Sequence, residues 1–82
     1  MIQPEYAGIK EVEIFSIETE FIKLDALLKA ANLAASGGEA KFLISSGEVS
    51  VNGEMELRRG RKIYPGYLVS ASGSILQIEK TS

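Results

Sequence analysis

Apolar and polar positions along this chain keep two different periods. Val12 and Ile14 share one face against Glu11 and Glu13, after which the phase slips and Phe15 and Ile17 alternate with Ser16 and Glu18. That slip predicts a strand with a bulge, or one passing over a helix edge. From residue 22 the spacing becomes helical. Leu24, Leu27, Leu28 and Ala31 recur at i, i+3, i+4 and i+7, one face of a helix over 22–32. Asp25 and Lys29 lie four apart with the acid first, the favourable order on an exposed helix face. Asn32 supplies a stop, since asparagine tolerates the left-handed backbone that ends helices. Ser36 followed three residues later by Glu39 is a capping-box pattern opening a second helix. Ala40, Leu43 and Ile44 form its buried stripe, with Gly37, Lys41 and Ser45 opposite, and Gly47 ends it.

Beyond residue 48 the period is two. Val49 and Val51 alternate with Ser50 and Asn52, and Asn52-Gly53 is a strong hairpin signal. On the return strand Met55 and Leu57 alternate with Glu54 and Glu56, which predicts a solvated face for the two glutamates. Pro65-Gly66 reads as a turn, and Tyr67–Ala71 and Ser74–Glu79 as strands joined through Ser72-Gly73. Residues 1–10 contain Pro4 and Gly8 and have no period, so they are expected to form a flexible arm; residues 11–82 read as a single domain. The order strand, helix, helix and then several strands predicts an α+β fold, two short helices packed on a small, mostly antiparallel sheet.

Composition narrows the chemistry. The 82 residues include no cysteine and no histidine, so disulfides, thiolate or imidazole metal sites and histidine-dependent nucleophiles are all excluded. No catalytic residue, metal or cofactor is expected, and the chain reads as a binding protein rather than an enzyme. No apolar run approaches the roughly 20 residues that span a bilayer. The N-terminus lacks the basic-then-apolar pattern of a secretory signal. The expected compartment is the cytoplasm, with no membrane partner.

The net charge is -2, which taken whole argues against a nucleic-acid binder. The average conceals a polarity. Residues 1–20 hold five acids and one base, whereas Arg58, Arg59, Arg61 and Lys62 lie within five residues around Gly60. Screening limits each charge to about 8–10 Å, so a local basic patch can hold an anion on an acidic molecule. Arginine's planar fork matches phosphate oxygens. The plainer reading of the segment is a solvated loop after a hairpin. The acidic segment 11–20 is expected to lie against the sheet, away from the patch. At Ser36-Gly37-Gly38 the second helix directs free backbone N–H groups outward, an anion site or simply a cap, with Lys41 one turn on. Tyr64 and Tyr67 flank the Pro-Gly turn, as half-buried strand aromatics or as stacking platforms for a base. Neither the P-loop pattern nor the dinucleotide glycine fingerprint is present.

Residues 21–71 together resemble a known family. Ile22-Lys23-Leu24-Asp25-x-x-Leu28 is similar to the opening of the S-four-type RNA-binding domain, named for the fourth protein of the small ribosomal subunit. Ser36-x-x-Glu39-Ala40-x-x-x-Ile44-x-x-Gly47 resembles its second helix, Val49-x-Val51-Asn52-Gly53 its hairpin and Pro65-Gly66 its late turn. The Ser-Gly-Gly-Glu-Ala opening and the Arg-Arg-Gly-Arg-Lys segment resemble the small stand-alone bacterial, YbcJ-like subgroup. The resemblance implies the S-four-like (alpha-L) RNA-binding motif and binding without catalysis. Its implied RNA surface comprises Lys23, Ser36, Gly37, Lys41, Asn52, Gly53, Arg58, Arg59, Arg61 and Lys62. The chain departs from the family in two places. Gly37-Gly38 stand where many members carry an arginine, and Gly66-Tyr67 replace the usual Gly-Asp. The expected partner is structured RNA, ribosomal or transfer, on or near the ribosome, bound by a monomer. The alternative is a protein-interaction module that docks an acidic partner or a ribosomal protein through the same cations.

Overall fold

The leucine stripe of the first helix is sealed from solvent: Leu24, Leu27 and Leu28 are fully buried. The structure, a computed structural model, describes residues 12–81. Two helices, α1 (Leu24–Ala30) and α2 (Gly37–Ser45), are followed and preceded by seven strands. The strands are β1 (Val12–Ile17), β2 (Ile22–Lys23), β3 (Ser50–Val51), β4 (Glu54–Met55), β5 (Lys62–Ile63), β6 (Leu68–Ala71) and β7 (Ser74–Lys80). Five strands form a mixed sheet in the order β1-β7-β6-β3-β4, and β2 pairs with β5 in a second small ladder. Among the described residues only β1 and β7 run parallel; every other pair is antiparallel. The stripes of α1 and α2 share one core with Ile17, Val49, Val51, Ile63, Val69, Leu76 and Ile78, so removal of apolar surface from water holds helices and sheet together. The prediction for residues 1–10 lies outside the described residues, as does Glu11.

The helix ends follow from local chemistry. After α1, Asn32 takes φ 63°. Its N–H donates to the Lys29 carbonyl, and the Leu33 N–H donates to the Leu28 carbonyl. After α2, Gly47 takes φ 84°, and the N–H groups of Gly47 and Glu48 donate to the carbonyls of Ile44 and Leu43. Both are Schellman endings, which satisfy carbonyls the helix leaves unpaired. At the start of α2, Ser36 Oγ accepts from the Glu39 N–H and the Glu39 carboxylate accepts from the Ala35 N–H. This is the predicted reciprocal cap with its second arm shifted one residue outward. Asp25 differs from expectation. Its carboxylate turns back to accept from the Ala26 N–H at 2.8 Å instead of pairing with Lys29.

The turns match their sequences. Asn52-Gly53 and Ser72-Gly73 are two-residue hairpin loops with positive φ at both positions, the backbone hand that fits a twisted ladder. Tyr64-Pro65-Gly66-Tyr67 is a type II turn, with Gly66 at φ 94° and the Tyr67 N–H donating to the Tyr64 carbonyl.

Two expectations are corrected. β1 carries no bulge, for its register with β7 runs unbroken from Val12 opposite Ile75 to Ile17 opposite Lys80. The apparent slip in phase arises because both faces carry apolar residues. Phe15 and Ile17 face the core, while Val12 and Ile14 on the outer face remain 50% and 60% exposed. The second correction concerns residues 54–57. Met55 and Leu57 are exposed, whereas Glu56 is buried. β4 ends at Met55 and the Glu56 N–H donates to the Val49 carbonyl, which turns the glutamate inward toward two arginines.

Candidate nucleic-acid interface

Residues 56–62 form a folded clasp rather than a free loop. The Glu56 carboxylate is the anchor. Arg58 reaches it with a two-pronged fork, Nε to Oε2 at 2.9 Å and Nη2 to Oε1 at 3.1 Å. The Arg58 backbone N–H donates to Oε2 as well, at 2.9 Å, and Arg61 Nη1 donates to Oε1 at 2.6 Å. Charge-assisted forks of this kind are the stronger hydrogen bonds of proteins. The Arg58 bonds, with help from Arg61 and against the opposing effect of burial, hold the Glu56 pKa down from 4.5 to about 2. Hydrogen bonding to Glu56 in turn raises the pKa of both arginines. A turn closed by the Arg61 N–H on the Arg58 carbonyl completes the clasp.

The clasp also begins α1. Lys23 is the N-cap and its side chain makes no capping bond. The first free N–H groups of the helix go to the clasp instead, Leu24 to the Arg61 carbonyl at 2.9 Å and Asp25 to the Arg59 carbonyl at 3.0 Å. With Ala26 bonded to Asp25, donors that a helix leaves orphaned at its start are satisfied from within the protein. The β2–β5 ladder extends the same junction and sets Lys23 directly opposite Lys62. Like charges facing across a ladder destabilise it. Both lysines are exposed. Lys62 Nζ lies 4.9 Å from the centroid of the Phe21 ring, and the Arg61 guanidinium lies over Tyr67 at 5.6 Å.

The structure therefore brings together five of the residues singled out from the sequence: Lys23, Arg58, Arg59, Arg61 and Lys62. Arg58 and Arg61 share one carboxylate, whereas Arg59 and Lys62 form no ion pair among the described residues. The other five stand apart from the clasp, joined to it by no hydrogen bond or ion pair among the described residues. Ser36 and Gly37 open α2, and Lys41 is exposed one turn on. Asn52 has a task in the fold. Its Oδ1 accepts from the Leu68 N–H at 2.9 Å and its own N–H donates to the Leu68 carbonyl at 2.7 Å, so the hairpin tip is pinned to β6. Gly53 follows it in the turn.

Reading by alternation missed Glu56. The signal was present in the spacing Glu56-x-Arg58-x-x-Arg61, a carboxylate within reach of two arginines. Phe21 was also passed over, because a single aromatic between acidic residues and a short strand carries no period.

Known proteins resemble this chain in sequence and in fold. The family model described as S4 domain matches residues 15–79. A Bacillus subtilis protein named "Probable ribosome maturation protein RlbA" is 50% identical over 58 residues, covering 71% of this chain and 82% of that protein. The Escherichia coli protein named "Putative RNA-binding protein YbcJ" is 39% identical over 57 residues, 70% of this chain and 81% of its own. The solution structure of Escherichia coli YbcJ, described as revealing an alpha-L motif involved in RNA binding, superimposes with a TM-score of 0.65 at 32% identity and covers 96% of both chains.

Proposed function

The chain belongs to the S4 domain family, and on that premise we propose that it is a non-catalytic, cytoplasmic module that binds structured RNA by its phosphates. In this reading residues 11–82 act as one domain and as a monomer. The RNA is ribosomal, in keeping with the ribosome-maturation name of the Bacillus subtilis relative, with transfer RNA as the other structured class.

The observation that carries the reading is the junction of β2, β5 and the clasp. Lys23 and Lys62 are held opposite each other although their charges repel, and a phosphate set between them would relieve that repulsion. Arg58 is fixed by Glu56 while its side chain remains 73% exposed, so part of its donor fork is pre-set toward solvent. Holding a side chain in place before binding reduces the ordering cost that association otherwise incurs. Arg59 adds a second outward fork. Lys41 and the N–H groups of Ser36-Gly37 at the head of α2 are separate phosphate contacts in this reading. Such contacts fix the register of the RNA and leave its bases unread, which suits a duplex whose deep groove side chains cannot enter.

The test is a salt series on a structured ribosomal RNA fragment. Four to six phosphate contacts predict a fall of about 3–5 log units in affinity per decade of salt. Changing Arg58, Arg59, Arg61 and Lys62 together to alanine, with folding verified by thermal melting, should remove most of that slope. If the native protein binds only as weakly as the variant at moderate salt, the RNA reading fails and the cations are a docking surface for protein.

A further inference from the structure

Tyr64 stands at the centre of a row of three rings. The Phe21 centroid lies 5.7 Å away on one side, tilted by 48°, and the Tyr67 centroid 5.8 Å away on the other, tilted by 57°. The outer rings are covered by cations, Lys62 over Phe21 and Arg61 over Tyr67. Among the described residues no cation covers Tyr64, and it keeps 39% of its surface exposed. Two of the rings, Tyr64 and Tyr67, border a cavity of about 480 Å³ whose lining is completed by Arg58, Gly60, Arg61 and Lys62. That volume falls in the range of small-ligand sites. At Gly60 a side chain would meet nothing within 4 Å, so the wall of the cavity there is bare backbone, open to close approach.

We propose that this cavity binds one unstacked nucleotide of the RNA, its base on the open face of Tyr64 and its phosphate on Lys62 and Arg58. The inference rests on the RNA-binding reading and goes beyond it, because phosphate contacts alone give no preference for an unpaired base. A base inside a duplex has both faces covered by its neighbours, whereas a bulged or flanking nucleotide offers a free face to an aromatic ring. The lining supplies a ring surface and cations. Every base has a π-face to stack, and the lining arginines carry forks that match a guanine edge.

Two RNA probes test this: a blunt duplex of about 16 base pairs, a length one duplex-binding domain spans, and the same duplex with a short single-stranded adenosine flank. Stacking is worth about 1–3 kcal/mol per base, so at about 1.36 kcal/mol per tenfold the native protein should prefer the flanked duplex by about 5- to 150-fold. Tyr64→Ala should erase that preference while leaving blunt-duplex affinity and the salt slope unchanged. Tyr64→Phe should retain it, because the ring face remains. Equal native affinity for the two probes overturns the nucleotide site and leaves the phosphate reading standing. So does a Tyr64→Ala loss shared equally by both probes. A native protein that binds neither probe overturns both readings together. Thermal melts of each variant separate lost stacking from lost folding.

Discussion

Glu56 is the residue on which the basic surface turns. Its carboxylate accepts from Arg58 and Arg61, and its pKa is held at about 2 against 4.5. Because the folded-state value is depressed, the ionised carboxylate stabilises the fold. That contribution is fully present above about pH 4.5 and is lost as pH falls through 4.5 toward 2. Acid titration followed by thermal melting should therefore show the native protein losing stability over that interval, with Glu56→Gln giving a flatter curve there. At neutral pH Glu56→Gln should cost about 1.5–3 kcal/mol, the usual worth of hydrogen bonds to a charged group, as read by denaturant unfolding. The cations themselves were legible in the sequence because four of them fall within five residues. Their organiser was not, since alternation assigns faces by parity and the chain leaves the strand at Met55, one residue before Glu56.

At the scale of elements, helix ends and turns were the most legible features. Asn32, Gly47, Asn52-Gly53 and Pro65-Gly66 each impose a backbone conformation through their own side chain, or lack of one, and the structure uses each as read. The start of α1 was not legible, because backbone carbonyls of residues 59 and 61 cap it and a carbonyl has no sequence signature. The expected bulge in β1 fails for a related reason: an apolar residue does not by itself declare a buried face. The Asn52-Gly53 hairpin depends on a single side chain. Asn52→Ala removes the side-chain bond to the Leu68 N–H and places alanine at φ 53°. It should destabilise the protein by about 1–3 kcal/mol through the lost bond and the strained backbone. If denaturant unfolding finds it neutral, Asn52 does not pin the hairpin to β6.

Over the whole molecule, a net charge of -2 coexists with a cluster of cations at one junction. Among the described residues none of Glu13, Glu18 and Glu20 forms an ion pair with that cluster, so these acids do not neutralise the basic surface by direct pairing. The larger architecture was legible as a succession of periods, but the partner of β1 was not. It pairs with β7, and residues so distant in the chain meet only through the completed fold. That parallel pairing has a mechanical consequence. A force drawing residue 12 and residue 80 apart pulls β1 and β7 lengthwise past each other, so the six-residue register from Val12–Ile75 to Ile17–Lys80 is loaded in shear. Its interstrand bonds then bear the load together. Pulling at residues 12 and 75, paired at one end of the ladder, peels the bonds one after another. Single-molecule extension should therefore record a higher rupture force for the first attachment than for the second, which makes the β1–β7 edge of the sheet the molecule's mechanical clamp.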